Sequence, residues 1–341
     1  MTNAPFKSGF VAVVGRPNVG KSSLVNTMVG TKVSIISPQP NTTRHGIRGI
    51  LHRPDVQVVF VDTPGFHRPR SPLGERLNRR AWESLEEVDV VLVVVDATAP
   101  IGPGDRNVLG RVVRSAAVTT GAGWGPLTQG SPQPKRGSNL LVVVNKVDAA
   151  RPGQTLERLA TVSEALDEEM RGAGIKREAE VTAGEATAEE VAVGGIAGGA
   201  GAEFFPVSAV TGAGVAELVE AVVERLPAGP PYFPPDMATD LPDAVMVAEL
   251  VREQILARVR DELPHSVACR VTEWEWPRIR CEIVVERESQ KAIVIGRGGE
   301  HLKSAGTAVR RLLPPGAYLE LFVRVERRWQ RREDMLDRLG Y

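Results

Sequence analysis

Phe10-Val11-Ala12-Val13-Val14 runs into Gly15-Arg16-Pro17-Asn18-Val19-Gly20-Lys21-Ser22, and a helix-like stretch, Ser22 to Val29, follows. A short apolar run, a glycine-spaced loop ending in Lys-Ser and a helix together match G-x-x-x-x-G-K-[ST] in its required setting. Glycines let backbone N–H groups wrap a phosphate chain, and the helix N-terminus adds positive potential. Lys21 is expected to reach the outer phosphates and the Ser22 hydroxyl to ligate Mg²⁺. Ser23 completes the phosphate-binding set.

Outward from this loop the pattern repeats. Val56 to Val61, Val90 to Val95, Leu140 to Val144 and Glu203 to Val207 are short, Val-rich runs bounded by Gly, Pro or Asp. Continuous rather than alternating apolar runs mark strands covered on both faces. With helical stretches between them they predict an α/β domain, a mostly parallel sheet with helices on both faces. Three further motifs end these strands. Asp62-Thr63-Pro64-Gly65 follows the second, with Asp62 placed to hold Mg²⁺ through water and the Gly65 N–H to bond a γ-phosphate. Asn145-Lys146-Val147-Asp148 follows the fourth, where Asn145 suits a purine edge and Asp148 accepts two N–H bonds that guanine offers and adenine lacks. Ser208-Ala209 follows the fifth and presents backbone N–H to the guanine oxygen. All lie at carboxyl ends of strands, where open α/β sheets bind ligands. The expected ligand is GTP or GDP with Mg²⁺.

The chain has 341 residues, which suggests about two domains. Lys plus Arg and Asp plus Glu number 42 each, so a globally basic nucleic-acid binder is excluded, though a local basic patch is not. The two cysteines, Cys269 and Cys281, are too few for a disulfide scaffold and fit core packing in a reducing, cytoplasmic setting. The longest apolar run, Val90 to Val95, is far below the ~20 residues of a membrane-spanning helix. Five prolines between 227 and 235 mark a semi-rigid connector. The expected organisation is a GTP-binding domain over 1–226, with insertions near 119–139 and 172–202, a linker over 227–235, and a second domain over 236–341.

In the second segment a helix is expected from Asp243 to Leu263, then strands Ser266–Thr272 and Arg278–Glu286. A short helix, Gln290 to Ile295, leads into Gly296-Arg297-Gly298-Gly299, followed by a helix from Glu300 to Leu312, a strand from Ala317 to Val325 and a terminal helix. A G-x-x-G loop between two helices in this order predicts an α+β type II KH domain clamping about four single-stranded nucleotides. From Arg287 to Arg332 eleven Lys/Arg face four acids, whereas Asp236 to Glu286 holds six basic and eleven acidic residues, so the positive charge is gathered around the loop as phosphate binding requires. Lys291, Gly296, Arg297, Gly298, Gly299 and Lys303 are the expected RNA contacts. Trp274 and Trp276, at a strand end, are read as hairpin packing ahead of base stacking.

The first segment resembles a translation-factor-class GTPase domain. Within that resemblance Thr43, in Gln39-Pro40-Asn41-Thr42-Thr43-Arg44-His45, is the Mg²⁺-ligating switch threonine, and Phe66 stands where Ras-like proteins carry a water-orienting glutamine, implying slow intrinsic hydrolysis. Asn18 is the position at which related GTPases coordinate K⁺. A GTPase domain followed by one KH domain resembles the Era family of bacterial ribosome-assembly GTPases. The likeness is carried by Gly15–Ser22, Thr42–His45, Asp62–Gly65, Asn145–Asp148, Leu263–Val267, Val284–Glu288 and the Leu339-Gly340-Tyr341 end. It implies a GTP hydrolase with Lys21, Thr43 and Gly65 at the reaction centre, binding the 3′ end of 16S ribosomal RNA and the 30S subunit as a monomer, with hydrolysis switching RNA binding. A membrane-surface GTPase whose KH fold contacts protein or lipid is the alternative.

Overall fold

The computed structural model describes residues 5–37, 39, 42–65, 71–83, 88–115, 139–174, 196–197, 202–259 and 266–341. Phe66 and almost all of the two expected insertions lie outside these residues. The described chain divides into two compact units. The first comprises 1–34, 46–67 and 78–240; the second comprises 35–45, 68–77 and 241–341.

In chain order the first unit carries β1 (Lys7–Val14), α1 (Lys21–Val29), β2 (Ile47–Arg53) and β3 (Val56–Asp62). Helix α2 (Pro72–Glu83) begins in the second unit and ends in the first. Then come β4 (Val90–Asp96), α3 (Pro103–Arg114), β5 (Leu140–Asn145), α4 (Gln154–Gly172), β6 (Ile196–Ala197), β7 (Glu203–Val207) and α5 (Val215–Arg225). The sheet order is β2-β3-β1-β4-β5-β7-β6, with β2 and β6 antiparallel to their neighbours and the rest parallel. β4 and β5 are buried along their whole length, as expected of strands covered on both faces. The strand order reverses at β1, which lies between β3 and β4, so the loop after β1 opens at the crevice where such sheets take ligands.

Two strands of this sheet are not legible in the sequence, β2 and the two-residue β6 inside the expected 172–202 insertion. β2, Ile-Arg-Gly-Ile-Leu-His-Arg, has no continuous apolar run because it is an edge strand with half-exposed positions. Its Gly49 is demanded by packing, since a Cβ there would sit 2.8–3.0 Å from Val25, Val29 and Val33.

The proline-rich stretch is not a free connector. Pro227 O accepts from Ser8 N at 3.1 Å, Gly229 N donates to Phe6 O at 2.9 Å, and Pro230 O accepts from Ser8 Oγ at 2.7 Å. Further on, buried Gln57 accepts from Tyr232 N and Phe233 N and donates to Phe233 O, while Ala238 O accepts from Ile50 N at 2.8 Å. Prolines exclude a helix here, and the remaining backbone groups find partners on β1, β2 and β3, so residues 227–240 form a strap on the first unit.

The second unit contains α6 (Asp243–Leu256), β8 (Ala268–Glu275), β9 (Arg278–Val285), α7 (Glu288–Ile295), α8 (Glu300–Arg310), β10 (Tyr318–Val325) and α9 (Glu333–Arg338). Its sheet order is β10-β9-β8, with β10 parallel and β8 antiparallel to β9. Helix α6 stops at Leu256, short of the expected Leu263, and 260–265 lie outside the described residues. One sheet face carries Cys269, Ile279, Cys281, Ile283 and Val285 against Val251, Ile255, Val294, Ala305 and Val309 of the helices. Both cysteines are free and buried in this core. On the other face Ala268 and Val284 meet Trp329, Leu336 and Tyr341. Trp274 and Trp276, expected to pack against the hairpin, are 39% and 53% exposed.

Candidate functional site

The loop after β1 is shaped by two left-handed residues. Asn18 (φ 66°) and Gly20 (φ 93°) turn the chain so that Gly20 caps the N-terminus of α1. Asparagine is among the few side chains that adopt this region readily, which is a local reason for Asn at 18. Lys21 is buried, and its ammonium donates back to Gly15 O at 3.2 Å and Arg16 O at 3.0 Å. Burial pulls its pKa down to about 8, opposed by the nearby Asp62 carboxylate. An ammonium so placed gains most from an anionic neighbour.

Ser22 Oγ donates to Asp62 Oδ2 at 2.7 Å, and Asp62 is fully buried at the end of β3. The two sequence-predicted Mg²⁺ groups therefore converge, and hard oxygen donors of this kind fit that ion. Thr63 Oγ1 donates to Val13 O at 2.9 Å, fixing the end of β3 to β1. Gly65 lies against the loop, where a Cβ would come 2.8 Å from Pro17 N and Cα. Pro64 joins the two.

Asn145, expected at a purine edge, makes three bonds within the protein. Its amide donates to Val19 O at 2.9 Å, and its Oδ1 accepts from Lys146 N at 2.8 Å and Ala209 N at 3.0 Å. One side chain thus ties the phosphate loop to the Ser208-Ala209 turn, which places Val19, Asn145 and Ala209 together. Lys146 (φ 68°) sends its ammonium to Asn18 O and Asp96 Oδ2, both at 2.6 Å. Val147 opens a short 3₁₀ turn, on which Asp148 is exposed.

Sequence reasoning missed Asp96 and Asp105. Asp96 ends β4 as Asp62 ends β3, and that shared position was the available signal. Burial works against its charge, but Lys146 and Thr98 outweigh it and hold the carboxyl below its ordinary range. Asp105 pairs with Arg16 Nε at 3.0 Å and accepts from Gly102 N at 3.0 Å, steadying the loop from α3.

Thr43 belongs to the second unit, where it is buried. Its neighbours are held there on both sides. Arg252 Nη2 donates to Thr42 O, and Arg44 Nη1 donates to Val267 O at 2.8 Å.

In the same unit the G-x-x-G loop is a 3₁₀ turn with Gly296 (φ 77°), Gly298 (φ 59°) and Gly299 (φ 82°), the last capping α8. A Cβ on Gly296 would lie 2.8 Å from His301 Cγ, so that glycine serves internal packing. At Gly298 and Gly299 a Cβ would meet nothing within 4 Å, so the space they leave open faces outward. Arg297 and Lys303 are exposed and Lys291 half-buried around it. A cationic loop, a helix N-terminus and an unobstructed backbone give a surface for a phosphodiester chain.

The model of the 50S ribosome-binding GTPase family matches residues 10–119, and the KH domain model matches residues 262–330. The chain is 40% identical to GTPase Era of Mycobacterium avium (strain 104) over 347 residues, covering 98% of this chain and 99% of that one. The chain belongs to the Era GTPase family. GTPase Era of Mycobacterium tuberculosis (strain ATCC 25618 / H37Rv) is likewise 40% identical, over 348 residues. Among solved structures, Era in complex with MgGDPNP and nucleotides 1506–1542 of 16S ribosomal RNA matches with a TM-score of 0.77 and 34% identity, over 98% of this chain and 99% of that one. A variant of Aquifex aeolicus Era bound to GDP·AlF4⁻ matches with a TM-score of 0.76 and the same identity and coverage. As an Era GTPase the chain is a GTP hydrolase, with a P-loop GTPase domain followed by a KH domain. GTP, GDP and Mg²⁺ are its ligands.

Proposed function

We propose that this Era GTPase binds the 3′ end of 16S ribosomal RNA through the Gly296–Gly299 loop and acts in 30S subunit assembly, as a cytoplasmic monomer, with GTP hydrolysis switching RNA binding. The observation that carries the reading is the outward-open, cationic Gly298-Gly299 backbone in a chain whose full length matches an Era–16S rRNA complex. Lys291, Arg297 and Lys303 supply charge to phosphates, and the glycines admit the backbone.

In the nucleotide site, backbone N–H groups of Gly15 to Ser23 and the Lys21 ammonium take the phosphates. Ser22, Asp62 and Thr43 are the groups that hold Mg²⁺, which when bound neutralises charge on the β- and γ-phosphates. The Gly65 N–H holds the γ-phosphate, and Asn145, Asp148 and Ala209 read the guanine. Asp148→Asn is expected to move the preference toward xanthine nucleotides, measured by competition; unchanged guanine selectivity would place the base-reading group elsewhere.

Asn18 gives a further expectation, that K⁺ stimulates hydrolysis. Equal turnover in Na⁺ and K⁺ buffers would remove that role. The rRNA assignment is tested by titrating a labelled 16S 3′-end oligonucleotide at fixed salt. Saturable binding that a scrambled sequence does not reproduce is expected, and equal binding of both would reduce the surface to a non-specific basic patch.

A further inference from the structure

Within the first unit, one buried carboxylate joins the loops that follow β1, β4 and β5. Strand β4 ends at Asp96, which is 7% exposed. β4 and β5 run parallel with Asp96 beside Asn145, so Lys146, the first residue after β5, emerges next to that carboxylate. Lys146 takes the left-handed backbone (φ 68°), which lysine adopts only where surrounding contacts hold it. Its ammonium has two acceptors at 2.6 Å, Asp96 Oδ2 and Asn18 O. Its stem crosses the phosphate loop, with Cε 3.9 Å from where a Cβ on Gly20 would stand.

The Asp96 carboxylate is divided between two tasks. Oδ1 accepts from Thr98 N at 2.9 Å and from Thr98 Oγ1 at 2.6 Å, closing the turn after β4. Oδ2 serves Lys146 alone. The turn is itself fastened to the start of α4, because Thr98 O accepts from Gln154 Nε2 at 3.1 Å and Gln154 Oε1 accepts from Arg151 N at 2.9 Å. Lys146 and Asn145 thus grip consecutive carbonyls of the phosphate loop, Asn18 O and Val19 O. A half-buried lysine samples many rotamers, and a charge-assisted bond to a fixed, buried carboxylate removes that freedom before any ligand arrives.

We propose that Asp96 is a positioning residue for the guanine nucleotide: it fixes the Lys146 ammonium on Asn18 O, keeps the phosphate loop fastened to the base-reading turn, and so slows nucleotide release. This rests on the assignment of Gly15–Ser22 and Asn145–Asp148 to the nucleotide above. Without Asp96 the lysine is ordered only when nucleotide binds, so the loss falls on GTP and GDP alike and is read in the dissociation rate. Turnover of bound GTP keeps its rate.

The test uses the full-length chain carrying Asp96→Asn. Asparagine has one acceptor oxygen where aspartate has two, so it can serve Thr98 or Lys146 but not both. Release of a fluorescent GDP analogue, followed by stopped flow, should be about tenfold faster and KM for GTP about tenfold higher, with kcat within about twofold. Asp96→Asn added to Lys146→Met should accelerate release no further, because the carboxylate acts through that ammonium. Unchanged release in folded Asp96→Asn would overturn the proposal. The same acceleration on the Lys146→Met background would also overturn it, since Asp96 would then act only through the turn at Thr98. Should Asp96→Asn fail to fold, Asp96→Ser, whose hydroxyl can cap Thr98 N but stops short of Lys146, is read in the same way. GDP binding by the wild type, with its loss of guanine preference in Asp148→Asn, shows whether the nucleotide-site assignment stands when the role of Asp96 does not.

Discussion

Lys21→Ala is expected to weaken GTP binding by at least about a hundredfold while leaving RNA binding by the full-length chain in place. The ammonium is buried beside Asp62 and returns to Gly15 O and Arg16 O, so it waits at the phosphate site already desolvated. Removing one partner of a desolvated charge pair costs about 2–5 kcal/mol, and about 3 kcal/mol is already a hundredfold. Isothermal titration with GTP and a GTP analogue checks it, and a loss under about tenfold would move the main phosphate contact to another group.

The same lysine gives affinity a pH dependence. Its free-chain pKa is about 8, and bound phosphates raise it. The ligand selects the protonated form, so affinity is flat below pH 8 and falls as pH rises above it, by up to about tenfold per pH unit. In Lys21→Ala this slope disappears. An undiminished slope in the variant would assign it to another group.

Gly298→Asp is expected to lower affinity for the 16S 3′-end oligonucleotide about a hundredfold, with GTP binding and hydrolysis unchanged. A Cβ at 298 meets no protein atom within 4 Å, and aspartate is one of the residues that tolerate the left-handed backbone at φ 59°. The fold therefore survives, while a carboxylate enters the space reserved for a phosphate. Like charges brought together at an interface cost several kcal/mol. Fluorescence anisotropy at fixed salt measures the change. Wild-type affinity in a folded Gly298→Asp chain would place the RNA path away from this loop.

Much of this architecture is legible because it is local. Val90 to Val95 and Leu140 to Val144 announce strands buried on both faces. Gly15 to Ser22 needs only its own glycines and flanks, and Gly296 to Gly299 reads as a loop from four consecutive residues. The elements that escape depend on distant partners. β2 is an edge strand whose Gly49 makes sense only against Val25, Val29 and Val33. The strap over 227–240 is held in part by Gln57, a polar residue within an apolar run far earlier in the chain. Lys146 reads in sequence as part of the guanine-binding motif, and its ties to Asn18 O and Asp96 appear only once β4 and β5 lie side by side.

The proposed switch is an RNA clamp governed by the state of the nucleotide. The measurement that tests it most directly is binding of the labelled 16S 3′-end oligonucleotide to the full-length protein at one salt concentration, first with a non-hydrolysable GTP analogue and Mg²⁺ and then with GDP. Tighter binding in the analogue state, abolished by Gly298→Asp, is the predicted result. Equal affinity in both states would contradict the switch.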